Sequence, residues 1–164
     1  MLMENIKFRK ASLSDLSVIL TIYEGARAFM RQTGNPTQWG TVYPSPELIL
    51  SDIEKGELYV AELNEIEAVF VLTEGEDPTY GYIDGKWQND LSYRAVHRVA
   101  SAGRTKGMLS MIMDFCFSIC NNIKIDTHKE NTVMQKALER YGFSSCGIIF
   151  LENGEERIAY QLNK

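Results

Sequence analysis

The hydrophobic pattern of the first third of the chain predicts a strand followed by two helices. Apolar and polar residues alternate over positions 6–10, as in a strand with one buried face. Ser12 or Ser14 is placed to cap a helix over positions 13–30, where apolar residues recur at close to helical spacing. A loop rich in glycine and proline follows, and Pro46 suits the first turn of a second helix.

The middle of the chain predicts a hairpin, an irregular segment and a strand-to-helix junction. Strands are expected over positions 57–63 and 68–73, joined by a short polar turn. Positions 75–93 are polar and lack a helical period, which predicts an irregular excursion or a small extra hairpin. This excursion is expected to bring three aromatic residues together: Tyr80, Tyr82 and Trp87. A central strand over 95–100 and a helix over 106–120 come next.

The last third predicts a short buried strand over 123–126, a helix over 131–141 and a final hairpin. Its two strands, 143–151 and 157–162, flank Asn153–Gly154, which is a strong hairpin-turn signal. The order β-α-α-β-β-β-α-β-α-β-β therefore predicts an α/β or α+β fold with a mixed sheet.

Composition is that of an ordinary globular protein and argues against several classes of partner. The 164 residues are 45% hydrophobic and 24% charged, and we expect them to form one domain over 1–164. A net charge of −5 argues against nucleic acid, because phosphate binding needs a basic face. The chain has no signal-peptide pattern and no apolar run of about 18 residues, so we expect a cytoplasmic protein without a membrane span.

The three cysteines predict reduced thiols rather than a metal site. Cys116 and Cys120 lie four positions apart in an apolar helical run, and Cys146 stands alone. Without paired zinc-type spacing, burial of the first two in the core is the simpler interpretation.

The clearest candidate chemistry lies in AVHRVASAGRTKGMLS, residues 95–110. An apolar run ends in a basic loop with glycine, and an apolar helix follows, so free backbone N–H groups and the positive end of the helix dipole face any anion in the loop. Arg104 and Lys106 add positive charge, which favours a phosphate-bearing ligand. The alternative is a purely structural junction. Gly103 and Gly107 match neither a Walker loop nor a dinucleotide fingerprint.

The loop resembles the pyrophosphate loop of the GNAT superfamily of acyl-CoA N-acyltransferases, whose pattern is Arg/Gln-x-x-Gly-x-Gly/Ala. The matching residues are Arg104, Thr105, Lys106, Gly107 and Met108. Leu109 occupies the last position, where the family has a small residue, and Ser110 follows. The resemblance implies that N–H groups of residues 104–110 bind the pyrophosphate of acetyl-CoA. It also implies that the backbone of Val99 and Ala100 holds the pantetheine arm.

A second GNAT-like motif lies downstream. The family has Asn, a small or apolar residue three positions on, and Gly-Phe at eleven and twelve, and four residues keep that spacing: Asn131, Met134, Gly142 and Phe143. Asn131 and Met134 are thereby implied to contact the cofactor arm. Leu138 stands where the family has the tyrosine that protonates the leaving thiolate, and Tyr141 is expected to be structural. The two motifs and the order of elements imply a GNAT-like three-layer fold with a mostly antiparallel sheet.

If the resemblance holds, a proton must leave the attacking amine, and two histidines are candidates for this step. On a regular strand, His97 shares a face with Val99, which in the family borders the acyl group. His128 follows the strand over 123–126, and Asp126 is placed to orient it. The alternative for each is an ordinary structural histidine. Two histidines of unknown separation do not indicate a metal site.

The acceptor is expected to lie between the loop after the first helix and the 75–93 excursion. Flat side chains there can line its site and stack on a cation: Trp39, Tyr43, Tyr82 and Trp87. For each of them, the alternative is ordinary core packing.

The resemblance implies an N-acetyltransferase that moves an acetyl group from acetyl-CoA to a primary amine of a small molecule or peptide, by direct attack in a ternary complex. Leu109 and Leu138 leave open an acyl-CoA-binding regulatory protein or a catalytically weak homologue. A generic α/β domain without a CoA site is the third alternative. A monomer and a homodimer are both compatible with the sequence.

Overall fold

The computed structural model describes residues 5–164, which form four α-helices and eight strands. The helices are α1 (Leu16–Gln32), α2 (Pro46–Glu54), α3 (Met108–Ile119) and α4 (Thr132–Tyr141). The strands are β1 (Lys7–Lys10), β2 (Leu58–Glu62), β3 (Ile66–Leu72), β4 (Asp84–Gly85), β5 (Arg94–Ser101), β6 (Asn122–Thr127), β7 (Ser144–Phe150) and β8 (Glu156–Asn163). The predicted order of elements is confirmed, with β4 as an addition.

The eight strands form one sheet in the order β1-β2-β3-β5-β6-β8-β7-β4. Strands β5 and β6 run parallel, and the other neighbouring pairs in the described chain run antiparallel. The predicted α/β fold with a mixed, mostly antiparallel sheet is thus confirmed.

Both faces of the sheet are covered, and strand alternation divides the apolar residues between two cores. Along β2, Tyr59 and Ala61 enter the first core with α3 and α4, whereas Leu58 and Val60 enter the second core with α1 and α2. All seven residues of β3 are buried, which explains why its sequence is nearly continuously apolar.

Helix starts follow the caps in the sequence, with one shift. The Ser45 side chain accepts a hydrogen bond from the Leu48 N–H at 3.2 Å, and Pro46 opens α2 as predicted. The first helix was expected from position 13, but Leu13–Asp15 forms a 3-10 turn and α1 begins at Leu16. Ser12 begins that turn, and its N–H donates to the Asp15 carboxylate at 2.8 Å.

Two features expected from composition concern the cysteines and the absence of a membrane-spanning helix. All three cysteines are free, and burial raises the pKa of Cys116 to about 12, so this thiol stays protonated. Within residues 5–164, no helix combines the length and apolarity needed to cross a membrane.

Candidate active site

The central feature is a gap between the two parallel strands. Only Arg94–Ile123 and Ala95–Lys124 are paired between β5 and β6, and beyond these positions the strands diverge. A cleft of about 840 Å³ opens there, bordered by the second half of β5 and the end of β6. Divergence leaves backbone groups on both strands without a strand partner, and a ligand can take their place.

A bulge in β5 sets which side chains face this cleft. Val71 pairs with His97 and Val69 with Ala100, so two residues of β5 stand opposite one of β3, and Arg98 has φ of 50°. The Tyr23 hydroxyl, fully buried, donates to the Arg98 carbonyl at 2.8 Å and anchors the bulge.

The bulge overturns the expectation that His97 and Val99 share a face. Val96 and Val99 both pack against the first core. His97 therefore points to the opposite side, where its ring lies 5.8 Å from that of Tyr80. Strict alternation fails because the bulge inserts an extra residue between the two positions.

The bulge also determines which backbone groups of β5 bond to β3 and which face the gap. The Ala102 N–H donates to the Glu67 carbonyl at 2.9 Å, and in an antiparallel pair every second residue bonds to the same neighbour. Ala100 thus uses its N–H and C=O on β3, contrary to its expected role in holding the pantetheine arm. Val99 and Ser101 direct theirs into the gap.

The glycine loop presents a row of unused donors. No residue in the described chain accepts a hydrogen bond from the backbone N–H groups of residues 104–110. Gly107 has φ of 72° and a Cβ built on it would meet nothing within 4 Å, so this part of the loop is open. Met108 begins α3, and the partly buried Leu109 packs against the first core.

Arg104, expected to offer a charge to phosphate, is already engaged. Its guanidinium bonds to the buried Glu67 carboxylate at 3.0 and 3.2 Å, and the Thr105 hydroxyl bonds to the same carboxylate at 2.7 Å. Burial alone would raise the pKa of Glu67, but these bonds lower it. Glu67 therefore ties the loop to β3, and Lys106 remains as the exposed cation.

His97 belongs to a cluster of polar groups beside the gap. Its Nε2 lies 2.6 Å from Asp77 Oδ2, and its Nδ1 lies 3.9 Å from Asp126 Oδ2. Burial alone would raise the pKa of Asp77, but bonds from His97 and Thr79 lower it to about 2. Asp77 is therefore ionised and accepts only, so Nε2 donates the proton of this bond, and Nδ1 is the ring nitrogen that is not used by Asp77.

Asp126 does not orient His128, as the alternation had suggested. Its Oδ2 accepts instead from the Tyr80 hydroxyl at 2.7 Å. His128 borders a neighbouring cavity of about 300 Å³ that shares Thr37, Glu155 and Arg157 with the cleft, and its Nδ1 accepts from the Glu130 N–H at 3.0 Å. Burial and Arg157 lower the pKa of His128. Because its lone pair serves a turn, His128 is poorly placed for proton transfer.

The second motif has a clear structural role. Asn131 caps α4 by accepting from the Met134 N–H at 3.0 Å, and its amide donates to Gln38 at 3.0 Å. Asn131 and Met134 both border the cleft. Leu138 is fully buried in the first core. Tyr141 was expected to be structural, and its hydroxyl bonds to Asp114 and Lys164.

Two of the four aromatic candidates border the cleft. Trp39 and Tyr43 border it, with their ring centroids 6.1 Å apart. Tyr82 is 69% exposed and lies against Phe150. Trp87 stacks on a cation, but the cation is the protein's own Lys124, 4.1 Å from the ring. Tyr82 and Trp87 are therefore not brought to the cleft.

Sequence reasoning missed several cleft residues: Gln38, Asp52, Asp77 and Arg98. Asp77 did carry a local signal, because Asp-Pro-Thr is typical of a capped turn, and its carboxylate accepts from the Thr79 N–H at 2.8 Å. The pairing of Asp77 with His97 had no local signal.

A comparison with solved structures identifies the fold. An acetyltransferase of the GNAT family from Streptococcus agalactiae superposes with a TM-score of 0.88 and 28% identity, covering 97% of this chain and 95% of that one. The chain belongs to the GNAT superfamily. No protein-family model and no curated protein matched this sequence.

More distant GNAT structures share the fold. A GNAT-family acetyltransferase from Listeria monocytogenes has a TM-score of 0.73 and 18% identity, covering 97% of this chain and 95% of that one. A GNAT superfamily phosphinothricin acetyltransferase from Sinorhizobium meliloti, solved in complex with AcCoA, has a TM-score of 0.64 and 14% identity, covering 96% and 88%.

Proposed function

We propose that this protein is an acetyl-CoA-dependent N-acetyltransferase, which transfers an acetyl group to a primary amine of a small molecule or peptide. The observation that carries the proposal is an open row of N–H donors at residues 104–110, directly after β5, together with His97 in the gap beside the same strand. Membership of the GNAT superfamily supports acyl transfer as the reaction class.

Several backbone and side-chain groups of this chain are placed to bind acetyl-CoA. The N–H row and the start of α3 would bind the pyrophosphate, with Lys106 nearby. Val99 and Ser101 would pair with the amide-bearing arm. The Thr127 hydroxyl, buried beside the cleft and without a partner in the described chain, would gain one from such a ligand.

His97 would take the first proton. The acceptor arrives as an ammonium ion, and Nδ1 removes a proton from it, while Asp77 stabilises the imidazolium through Nε2. Acetyl-CoA supplies an acetyl thioester, whose C–S bond breaks as the C–N bond forms. The second N–H proton passes to the thiolate through water, since Leu138 offers none. The products are an amide, CoA thiol and a proton released from His97.

A second candidate is an acyl-CoA-binding regulatory or catalytically weak homologue. Leu138 favours it, because the family's proton donor is replaced by a fully buried aliphatic side chain. In the leading proposal the amine attacks acetyl-CoA directly while both are bound to the protein. A regulatory protein needs only to bind the cofactor.

Acetyl-CoA binding by calorimetry, followed by thiol release with a panel of primary amines, tests the proposal. Amine-dependent thiol release above background hydrolysis supports the enzyme. Binding without transfer to any amine would favour the regulatory protein. Absence of binding would contradict both and leave the loop as a structural junction.

Glu67→Gln should weaken acetyl-CoA binding about 5–30-fold. The change removes the charge that holds Arg104 and Thr105, so the loop loses its fixed conformation before binding. Calorimetry measures the effect, and a melting curve verifies the fold. Glu65→Gln is the matched control, because Glu65 also lies 2.9 Å from Arg104 but its side chain is 67% exposed. Equal weakening by both variants would contradict this role.

Tyr141→Phe should leave kcat unchanged, because its hydroxyl bonds to Asp114 and Lys164 rather than facing the cleft. Loss of a general acid would instead lower kcat by about 10²–10⁴-fold. Steady-state thiol release measures the difference. A large decrease in kcat without a change in melting temperature would show that Tyr141 takes part in the chemistry.

A further inference from the structure

The two guanidinium groups that border the cleft are already committed to protein partners. Arg98 makes two bonds of 2.8 Å to Asp52, whose side chain is only 2% exposed. Arg157 bonds to Glu155 at 3.2 Å and to the Glu156 carbonyl at 2.9 Å. The bidentate bond to a buried carboxylate keeps Arg98 from receiving a carboxylate from a ligand, whereas the Glu155 side chain that holds Arg157 is 53% exposed.

The third lining cation is Lys55, which is exposed just beyond α2. Its ammonium is open to water, where a charge–charge attraction is weak and screened by salt. Six carboxylates border the same cleft, against these three permanently charged cations. The cleft as a whole therefore favours positive ligands.

Asp126 supplies a specific place for a positive group. Tyr80 bonds to its Oδ2, while its Oδ1 accepts no hydrogen bond from any residue of the described chain. The Asp126 Oδ2 lies 3.9 Å from His97 Nδ1, so this nitrogen and the carboxylate border one position. One ammonium nitrogen can donate to both, since each hydrogen bond spans about 2.9 Å.

We infer that the acceptor is a cationic alkyl or arylalkyl amine with no carboxylate next to its amino group, rather than an α-amino acid. The inference rests on the proposed N-acetyltransferase function and names its substrate class. An α-carboxylate would sit beside Asp126 and Asp77 when the amine reaches His97. Like charges in a partly desolvated cleft repel strongly, and Arg98 is not free to offset that repulsion.

The test uses matched pairs with a single amino group that differ only in the carboxylate: isobutylamine against valine, and phenethylamine against phenylalanine. We expect kcat/KM for the decarboxylated member to exceed that of its partner by about 10²-fold in each pair. Equal values, or a preference for the amino acids, would overturn the inference.

Calorimetric titration of the same amines into the protein saturated with CoA separates this inference from the proposed function. Preferential binding of the decarboxylated members without acetyl transfer would refute the enzyme and keep the ligand class. Transfer to amino acids in preference would keep the enzyme and overturn the ligand class. Absence of both binding and transfer would refute both.

Two variants link the preference to the residues. Glu155→Gln removes the carboxylate that holds Arg157 and leaves Asp126 unchanged. It should reduce the ratio of kcat/KM between the decarboxylated amine and the amino acid in each pair. Asp126→Asn should lower kcat/KM for the decarboxylated amines about 10-fold or more and leave the Kd for acetyl-CoA unchanged. An unaltered ratio in Glu155→Gln together with full activity in Asp126→Asn would overturn the inference.

Discussion

His97→Ala is expected to lower kcat for amine acetylation by about 10²–10⁴-fold and to leave the Kd for acetyl-CoA unchanged. The His97 ring borders the cleft and is held by Asp77 at 2.6 Å through Nε2, so Nδ1 is the nitrogen placed to take a proton from the amine. Without the imidazole, the ammonium ion must lose its proton to water, which is a far weaker base. Stopped assays of thiol release and calorimetry measure the two quantities separately.

His128→Ala is the matched control for this prediction. His128 has its lone pair committed to the Glu130 N–H and lies in a different cavity, so its removal should leave kcat unchanged. Partial rescue of His97→Ala by added imidazole would support proton transfer as the lost step. Equal kcat in His97→Ala and the wild type would refute the assignment, and a large decrease in His128→Ala would shift it to the second histidine.

The sequence predicted those parts of the molecule that depend on local periodicity. The alternation over positions 6–10 predicted β1, and the apolar run of β3 follows from a sheet covered on both faces. Ser45 and Pro46 mark the start of α2, and Gly107 marks the start of α3. Each of these signals acts within a few residues, so one chain contains enough information to place them.

The geometry of the candidate site could not be predicted because it depends on contacts between distant segments. Asp77 meets His97 across 20 positions, and Arg104 meets Glu67 across 37. A positive φ at Arg98, a non-glycine residue, had no sequence signal, yet it inserts the bulge that turns His97 away from Val99. An arginine in a basic loop gives no indication that a buried carboxylate engages it.

The aromatic residues of the excursion were misplaced for a related reason. Tyr80 and Tyr82 are two positions apart, but the 3-10 turn Pro78–Tyr80 ends between them. Tyr80 is buried against the ring of Trp87 at 5.3 Å, while Tyr82 faces outward. Lys124 then occupies the face of Trp87 that a substrate cation was expected to use. Tertiary packing decided which rings remained free.

Gly107→Glu is expected to weaken acetyl-CoA binding by at least about 10²-fold. A Cβ at this position would meet nothing within 4 Å, and Gly107 lies within the row of free N–H groups that would bind the pyrophosphate. The added carboxylate would occupy those donors and repel the phosphates. Calorimetry measures the Kd, and turnover at low acetyl-CoA concentration should decrease in parallel.

Strain must be separated from charge in this variant, because a φ of 72° is costly for any residue with a Cβ. Gly107→Gln has the same strain and bulk without the charge, so the two variants should melt at similar temperatures. Binding should be weaker in the glutamate variant, since only its side chain competes as an anion. Equal binding by both variants would mean that bulk alone closes the loop, and wild-type binding in Gly107→Glu would remove the loop from the cofactor site.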